Sequence, residues 1–131
     1  DGEAIDLSVI PGRDVVAGET SIITGFEEGW YAVTNPEMKF GFALRWDRDV
    51  YPYLWFWQNY NVPDYPWYGM AWNIALEPCT SRPPTSLEEQ IKEEAVITLK
   101  GRSSIEVEIK ATLYTGLTKV EKVDRDGAVE G

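Results

Sequence analysis

A strict two-residue alternation between Met38 and Trp46 constrains the fold of this chain more than any other feature. Large apolar side chains recur at every second position of the run, and small or charged residues occupy the positions between them. Successive side chains of a β-strand point to opposite faces of a sheet, so this spacing predicts a strand with one apolar face.

Other segments also have the composition of strands. Residues 53–60 are apolar on both faces in their first half, which is typical of a central strand covered on both sides. Residues 61–70 carry Pro63, Pro66 and Gly69 and are predicted to form a loop. A strand is predicted after this loop, and Pro78 is expected to end that strand. The predicted strands are 30–34, 38–46, 53–60, 71–77, 95–99 and 105–113, with the last two paired across a turn at Gly101.

One short helix is predicted after these proline residues. Ser86 has the character of an N-cap, and Glu89 follows three positions later, which is the spacing of a capping box. Together these patterns predict an all-β fold, an antiparallel β-sandwich of six or seven strands with one short helix, or half of a larger sandwich.

Length and charge limit the function. The 131 residues predict a single domain over 1–131, with an irregular segment at 1–20 and a frayed tail at 124–131. A net charge of −10 disfavours nucleic acid and anionic membrane surfaces as partners. The single Cys79 cannot form an internal disulfide, which favours a reducing, cytoplasmic setting. Because the chain contains no His, proton transfer would have to use carboxylates, Lys, Tyr or Cys79.

Aromatic residues concentrate in the middle of the chain. Eleven of the 17 aromatic side chains lie between Trp46 and Trp72, close to Gln, Asn and carboxylate groups. Rings that pack on the C–H face of a sugar, with polar groups for its hydroxyls, are the components of a carbohydrate site. Trp57, Trp67 and Tyr68 are the candidate rings, although aromatic residues of strands commonly fill the core instead.

Polar candidates accompany these rings. Glu77 ends its predicted strand on a face of small residues, where a carboxylate has room to accept a proton from a bound hydroxyl. Its simpler interpretation is a surface glutamate paired with Arg82 or Lys92. Gln58 and Asn73 are candidates for holding hydroxyls, and Arg82 is a further candidate for binding the substrate. The spacing of Asp and Glu residues favours no metal site.

The order of these motifs resembles the C-terminal half of an aldose 1-epimerase (galactose mutarotase)-like protein, from a divergent branch of that superfamily. The resemblance covers roughly residues 22–115, and the steps 66–69 (Pro-Trp-Tyr-Gly) and 76–78 (Leu-Glu-Pro) are its most specific parts. It implies a β-supersandwich in which Glu77 is the general base on the anomeric hydroxyl of a monosaccharide or sugar phosphate. It implies no cofactor.

The same resemblance implies that the general acid and half of the fold come from outside this chain. Family domains are about twice as long, and their general acid is a histidine from the other half, whereas this chain has none. An N-terminal half-domain or a second chain would then complete the fold. Two alternatives remain open: a non-catalytic carbohydrate-binding module, and an interface that buries the aromatic patch against another subunit or domain.

Overall fold

The computed structural model describes residues 6–82 and 85–131 and forms three sheets and one short helix within them. The elements are β1 (Ala17–Ile23), β2 (Trp30–Asn35), β3 (Phe40–Arg45), β4 (Tyr53–Tyr60), β5 (Trp72–Cys79), α1 (Leu87–Lys92), β6 (Lys110–Thr115), β7 (Lys122–Val123) and β8 (Val129–Glu130). The pairings β2–β3, β3–β6 and β7–β8 are antiparallel. The predicted all-β class with one short helix is confirmed.

The chain divides into two compact units. The first contains the residues up to Ser21 and Trp55–Glu77, and the second contains Ile22–Leu54 and Pro78–Gly131. The sheet of order β1-β4-β5 has β4 at its centre, as the two apolar faces of residues 53–60 predict. Proline at position 78 lies inside β5 rather than ending it, because β5 is an edge strand and one of its sides needs no backbone donor.

The second unit contains the sheet of order β2-β3-β6. One face of this sheet packs around buried Ala43 and Tyr114, and Val123 of β7 packs against the same face with 1% of its surface exposed. Gly41 lies opposite Tyr114 in the β3–β6 register. The phenol oxygen of Tyr114 lies 2.5 Å from the Thr34 hydroxyl oxygen, and the phenol also donates to the Val33 carbonyl at 3.3 Å.

The long strand predicted over 105–113 is wrong in its first half, and residues 95–99 are not a strand. Only Lys110–Thr115 pairs with β3, starting at the pair Lys110–Arg45. Strand β3 ends at Arg45, and the chain turns soon after it: the Asp47 carbonyl accepts from the amides of Val50 and Tyr51, at 3.2 and 2.9 Å. Residues 104–109 therefore continue past the end of their neighbouring strand and have no partner in the described sheets.

Each terminal segment predicted to be irregular or frayed contains part of a strand, although residues 1–5 of the first lie outside the described residues. Strand β1 starts at Ala17, inside the segment expected to be irregular. Residues 122–130 form the β7–β8 hairpin where a frayed tail was predicted. The Asp124 carboxylate accepts hydrogen bonds from the amides of Asp126 and Ala128, both at 2.9 Å, and Gly127 adopts the positive φ of 83° that the turn requires.

The predicted capping box of α1 is confirmed. The Ser86 amide donates to the Glu89 carboxylate at 2.9 Å, the Ser86 hydroxyl donates to it at 2.8 Å, and the Glu89 amide donates back to the Ser86 hydroxyl. These bonds stabilise the ionised carboxylate and therefore lower the pKa of Glu89. The bond from the Ser86 backbone has the larger effect, and the bond from its side chain has the smaller one.

We expect Glu89→Gln to lower stability at neutral pH and to have no effect in acid. A carboxylate whose pKa is lowered by folding adds stability above its unfolded pKa, and this contribution is lost as the pH falls through the folded value. Urea midpoints of both proteins at pH 7 and toward pH 3 measure the difference. A midpoint difference that persists unchanged in acid would show that the charge of Glu89 contributes nothing.

Candidate functional site

The first unit contains a concave pocket beside β4. Its volume is about 280 Å³, and its lining includes two indole rings, one carboxylate, one hydroxyl and two amide-bearing residues. These residues are Trp57, Trp67, Glu19, Thr20, Gln58 and Asn59. We refer to it as the Trp57–Trp67 pocket. Its volume lies near the lower end of the range for small-molecule sites.

The alternation of β4 positions the first indole. Phe56, Gln58 and Tyr60 lie on one face of the strand and are buried, whereas Trp57 and Asn59 share the opposite face. Strand β4 also pairs with a strand on each side, β1 and β5. Trp57 is consequently fixed by a rigid element rather than by a loop.

Hydrogen bonds of the loop after β4 position the second indole. The amide of Trp67 donates to the Asp64 carbonyl at 2.9 Å, and the amide of Gly69 donates to the Val62 carbonyl at 2.8 Å. Gly69 has a φ of 71°, which glycine adopts without strain. In this loop the ring of Trp67 lies with its centroid 5.2 Å from that of Trp57, at an interplanar angle of 48°.

The pocket also depends on the segment that leads into β1. The side-chain amide of Asn61 donates to the carbonyls of Arg13 and Val15, at 2.8 and 2.9 Å. These bonds fix the chain just before the strand that carries Glu19 and Thr20. Gly18 allows this close approach, because a Cβ atom there would lie 2.5 Å from a methyl carbon of Val62.

Two buried amide groups at this end of β4 have unused donors. The side-chain nitrogens of Gln58 and Asn59 are buried and have no hydrogen-bond partner among the described residues. Their oxygens are used: Tyr60 donates its hydroxyl to Gln58 at 3.4 Å, and the Val62 amide donates to Asn59 at 3.3 Å. Unsatisfied buried donors are few in native proteins, and each costs about 1–3 kcal/mol.

The described lining of the pocket carries one negative charge and no cation. Glu19 is the one ionisable group among the described residues of its lining. Burial raises the pKa of the Tyr60 phenol, which donates to Gln58 on the face of β4 opposite Trp57. Hydroxyl-rich neutral molecules match this combination of flat rings and hydrogen-bonding groups.

The structure brings three of the seven predicted site residues together. Trp57, Trp67 and Gln58 line the pocket. Tyr68 is exposed on the same loop, with its ring edge-on to Tyr65 at 6.0 Å, and it does not contribute to the described lining.

The other three predicted residues lie elsewhere. Asn73 and Glu77 are both exposed on β5, and neither is among the described residues that line the pocket. Arg82 lies in the second unit and forms an ion pair with Glu93, not with Glu77. Lys92, the other partner considered for Glu77, pairs with Glu88 at 2.9 Å.

Glu19 and Thr20 were not predicted as site residues. They precede the β-branched and apolar pair Ile22-Ile23, and this short apolar run was the available sign that a strand passes there. Their position beside Trp57 follows from the pairing of β1 with β4, which local patterns do not specify.

Comparisons with protein-family models, curated proteins and solved structures find no match for this chain. Within the described ranges, no helix is both long and apolar enough to cross a membrane.

Proposed function

We propose that this chain binds a neutral carbohydrate in the Trp57–Trp67 pocket, as a binding module and not as an epimerase. The observation that carries the proposal is the pair of indole rings 5.2 Å apart in a pocket that Glu19 and Thr20 also line. The ring faces would pack against the C–H groups of a sugar, and Glu19 and Thr20 would hydrogen-bond its hydroxyls.

Charge supports a neutral ligand over a sugar phosphate. The described lining of the pocket contains no Lys or Arg, and Glu19 would repel a phosphate or a uronate. The chain as a whole carries a charge of −10, which opposes the approach of anions.

The position of Glu77 supports binding without proton transfer. A general base has to lie within hydrogen-bond reach of the proton that it abstracts. Glu77 is exposed and outside the described pocket lining, and the pocket's own carboxylate is Glu19. We accordingly expect the anomer exchange of glucose and galactose, followed by NMR, to proceed at its uncatalysed rate when this protein is added.

Binding is tested by calorimetric titration with neutral monosaccharides and their short oligomers. We expect Trp67→Ala to weaken binding by about tenfold or more, because one of the two stacking surfaces is lost. Tyr65→Ala is the matched control: its ring is 81% exposed on the same loop and outside the described lining, so its affinity should equal that of the wild type.

Two results would contradict the proposal. The first is that no neutral sugar of the panel binds at millimolar concentration. The second is that Trp67→Ala and Tyr65→Ala weaken binding equally, which would place the sugar on the loop surface and not in the pocket. Protein-dependent anomer exchange that Glu77→Gln abolishes would instead support the epimerase hypothesis.

A further inference from the structure

Strand β6 is an edge strand that begins several residues after its sequence pattern begins. Within the described part of the chain, the order β2-β3-β6 leaves one side of β6 without a neighbouring strand. The alternation of apolar and charged residues starts at Ile105, whereas pairing with β3 starts only at Lys110. Residues 104–109 thus have the composition of a strand and lie outside every described strand.

The apolar side chains of this segment are unusually exposed. Ile105, Ile109 and Leu113 are 49%, 48% and 69% exposed. An edge strand with open backbone groups and exposed β-branched residues is a template for pairing with another strand. Native proteins commonly protect such edges with charged residues. Here the segment carries charges of both signs, Glu106, Glu108 and Lys110, which can pair with opposite charges on a second strand.

We infer that the β6 edge, residues 104–114, pairs antiparallel with the same edge of a second copy of this chain, about a two-fold axis at Ile109. A two-fold interface uses the same surface on both copies. In this register Ile109 lies opposite its own counterpart, Val107 lies opposite Ala111, and Ile105 lies opposite Leu113. The alternating apolar residues from Ile105 to Leu113 then all meet one another.

Charge complementarity favours this register over its neighbours. The axis at Ile109 places Glu108 of each copy opposite Lys110 of the other, which gives two attractive cross-strand pairs. An axis at Val107 would place Glu106 opposite Glu108, and an axis at Glu108 would place that residue opposite itself. Within one copy, the Lys110 ammonium lies 3.5 Å from the Glu108 carboxylate and 3.7 Å from that of Asp126, so the cross-strand pair would add to these contacts.

The test uses two single charge changes and their mixture, measured by sedimentation in about 150 mM salt so that the net charge of each copy is screened. We expect the average mass of the wild type to rise with concentration toward twice 14.9 kDa. Glu108→Lys and Lys110→Glu each place like charges opposite one another at two positions. For each variant alone, the dissociation constant of self-association should rise by about tenfold or more.

An equimolar mixture of the two variants should associate as the wild type does, because every cross-strand pair is again of opposite charge. Recovery in the mixture also shows that both variants are folded. Glu106→Lys is the matched control: it changes the net charge as Glu108→Lys does, but its position lies opposite Thr112. It should not weaken association.

Three results would overturn the inference. The wild type could remain a monomer up to about 0.5 mM, well above the range of specific interfaces. Glu106→Lys and Glu108→Lys could weaken association equally, which would contradict the register. The mixture could stay as dissociated as the separate variants, which would show that Glu108 and Lys110 do not meet across copies.

Discussion

Replacing Gly41 by alanine is expected to lower the free energy of unfolding by about 3 kcal/mol or more. A Cβ atom at this position would overlap the phenol oxygen of Tyr114 and lie 2.6 Å from the Val33 carbonyl oxygen. The second of these atoms belongs to the backbone of β2 and cannot rotate away. Tyr114 would have to leave the core and lose its hydrogen bonds to Thr34 and Val33.

Gly101→Ala is the control for this substitution. No atom lies within 4 Å of a Cβ at that position, so alanine there should leave stability nearly unchanged. Urea unfolding of both variants measures the two effects. If Gly41→Ala unfolds within about 0.5 kcal/mol of Gly101→Ala, the close packing of Tyr114 over β3 is not a source of stability.

Replacing Trp46 by alanine should cost about 3–5 kcal/mol. Its side chain is buried, and its ring nitrogen donates to the Tyr51 carbonyl at 3.1 Å. The ring also contacts Phe26 edge-on at 5.7 Å and lies 6.0 Å from the ring of Tyr31. The substitution would leave a large cavity beside the rings of Phe26 and Tyr31 and an unpaired Tyr51 carbonyl.

Trp67→Ala is the matched control, since it removes the same ring from the surface of a loop. We expect it to cost less than Trp46→Ala, because Trp67 is 37% exposed whereas Trp46 is 3% exposed. Thermal and urea unfolding compare the two. Equal destabilisation would mean that Trp67 is a core residue, and it would remove Trp67→Ala as a specific test of sugar binding.

The sequence predicts strands well where their burial is local. The bounds of β4 at Tyr53 and Tyr60 are as predicted, because the strand is apolar on both faces and Pro63 follows soon after it. Ser86 and Glu89 predict the start of α1 because a capping box involves only neighbouring residues. These features need no knowledge of distant partners.

The failures arise where a distant residue decides the structure. Residues 104–109 have a strand pattern, but their neighbour β3 ends at Arg45. The tail is polar, yet Val123 is buried against Ala43 and Tyr114. Composition alone predicts neither outcome, because each depends on contacts between residues far apart in sequence.

In the candidate site, too, the residues set by local sequence were predicted and those set by distant contacts were not. Trp57, Trp67 and Gln58 were predicted because they belong to the aromatic segment itself. Glu19 and Thr20 reach the pocket on a strand from another part of the chain. The role of Glu77 as a base rests on its place at a strand end among small residues and on the resemblance, and it stays a prediction.

The oblique arrangement of Trp57 and Trp67 has an optical consequence. Their rings are 5.2 Å apart and inclined at 48°, so the ultraviolet transitions of the two indoles should couple as electric dipoles. Two coupled oscillators that are neither parallel nor coplanar absorb left- and right-circularly polarised light unequally. The result is a couplet, a pair of bands of opposite sign, in the circular dichroism spectrum. A guest molecule that shifts either chromophore would change this couplet, so occupancy could be followed without an attached label.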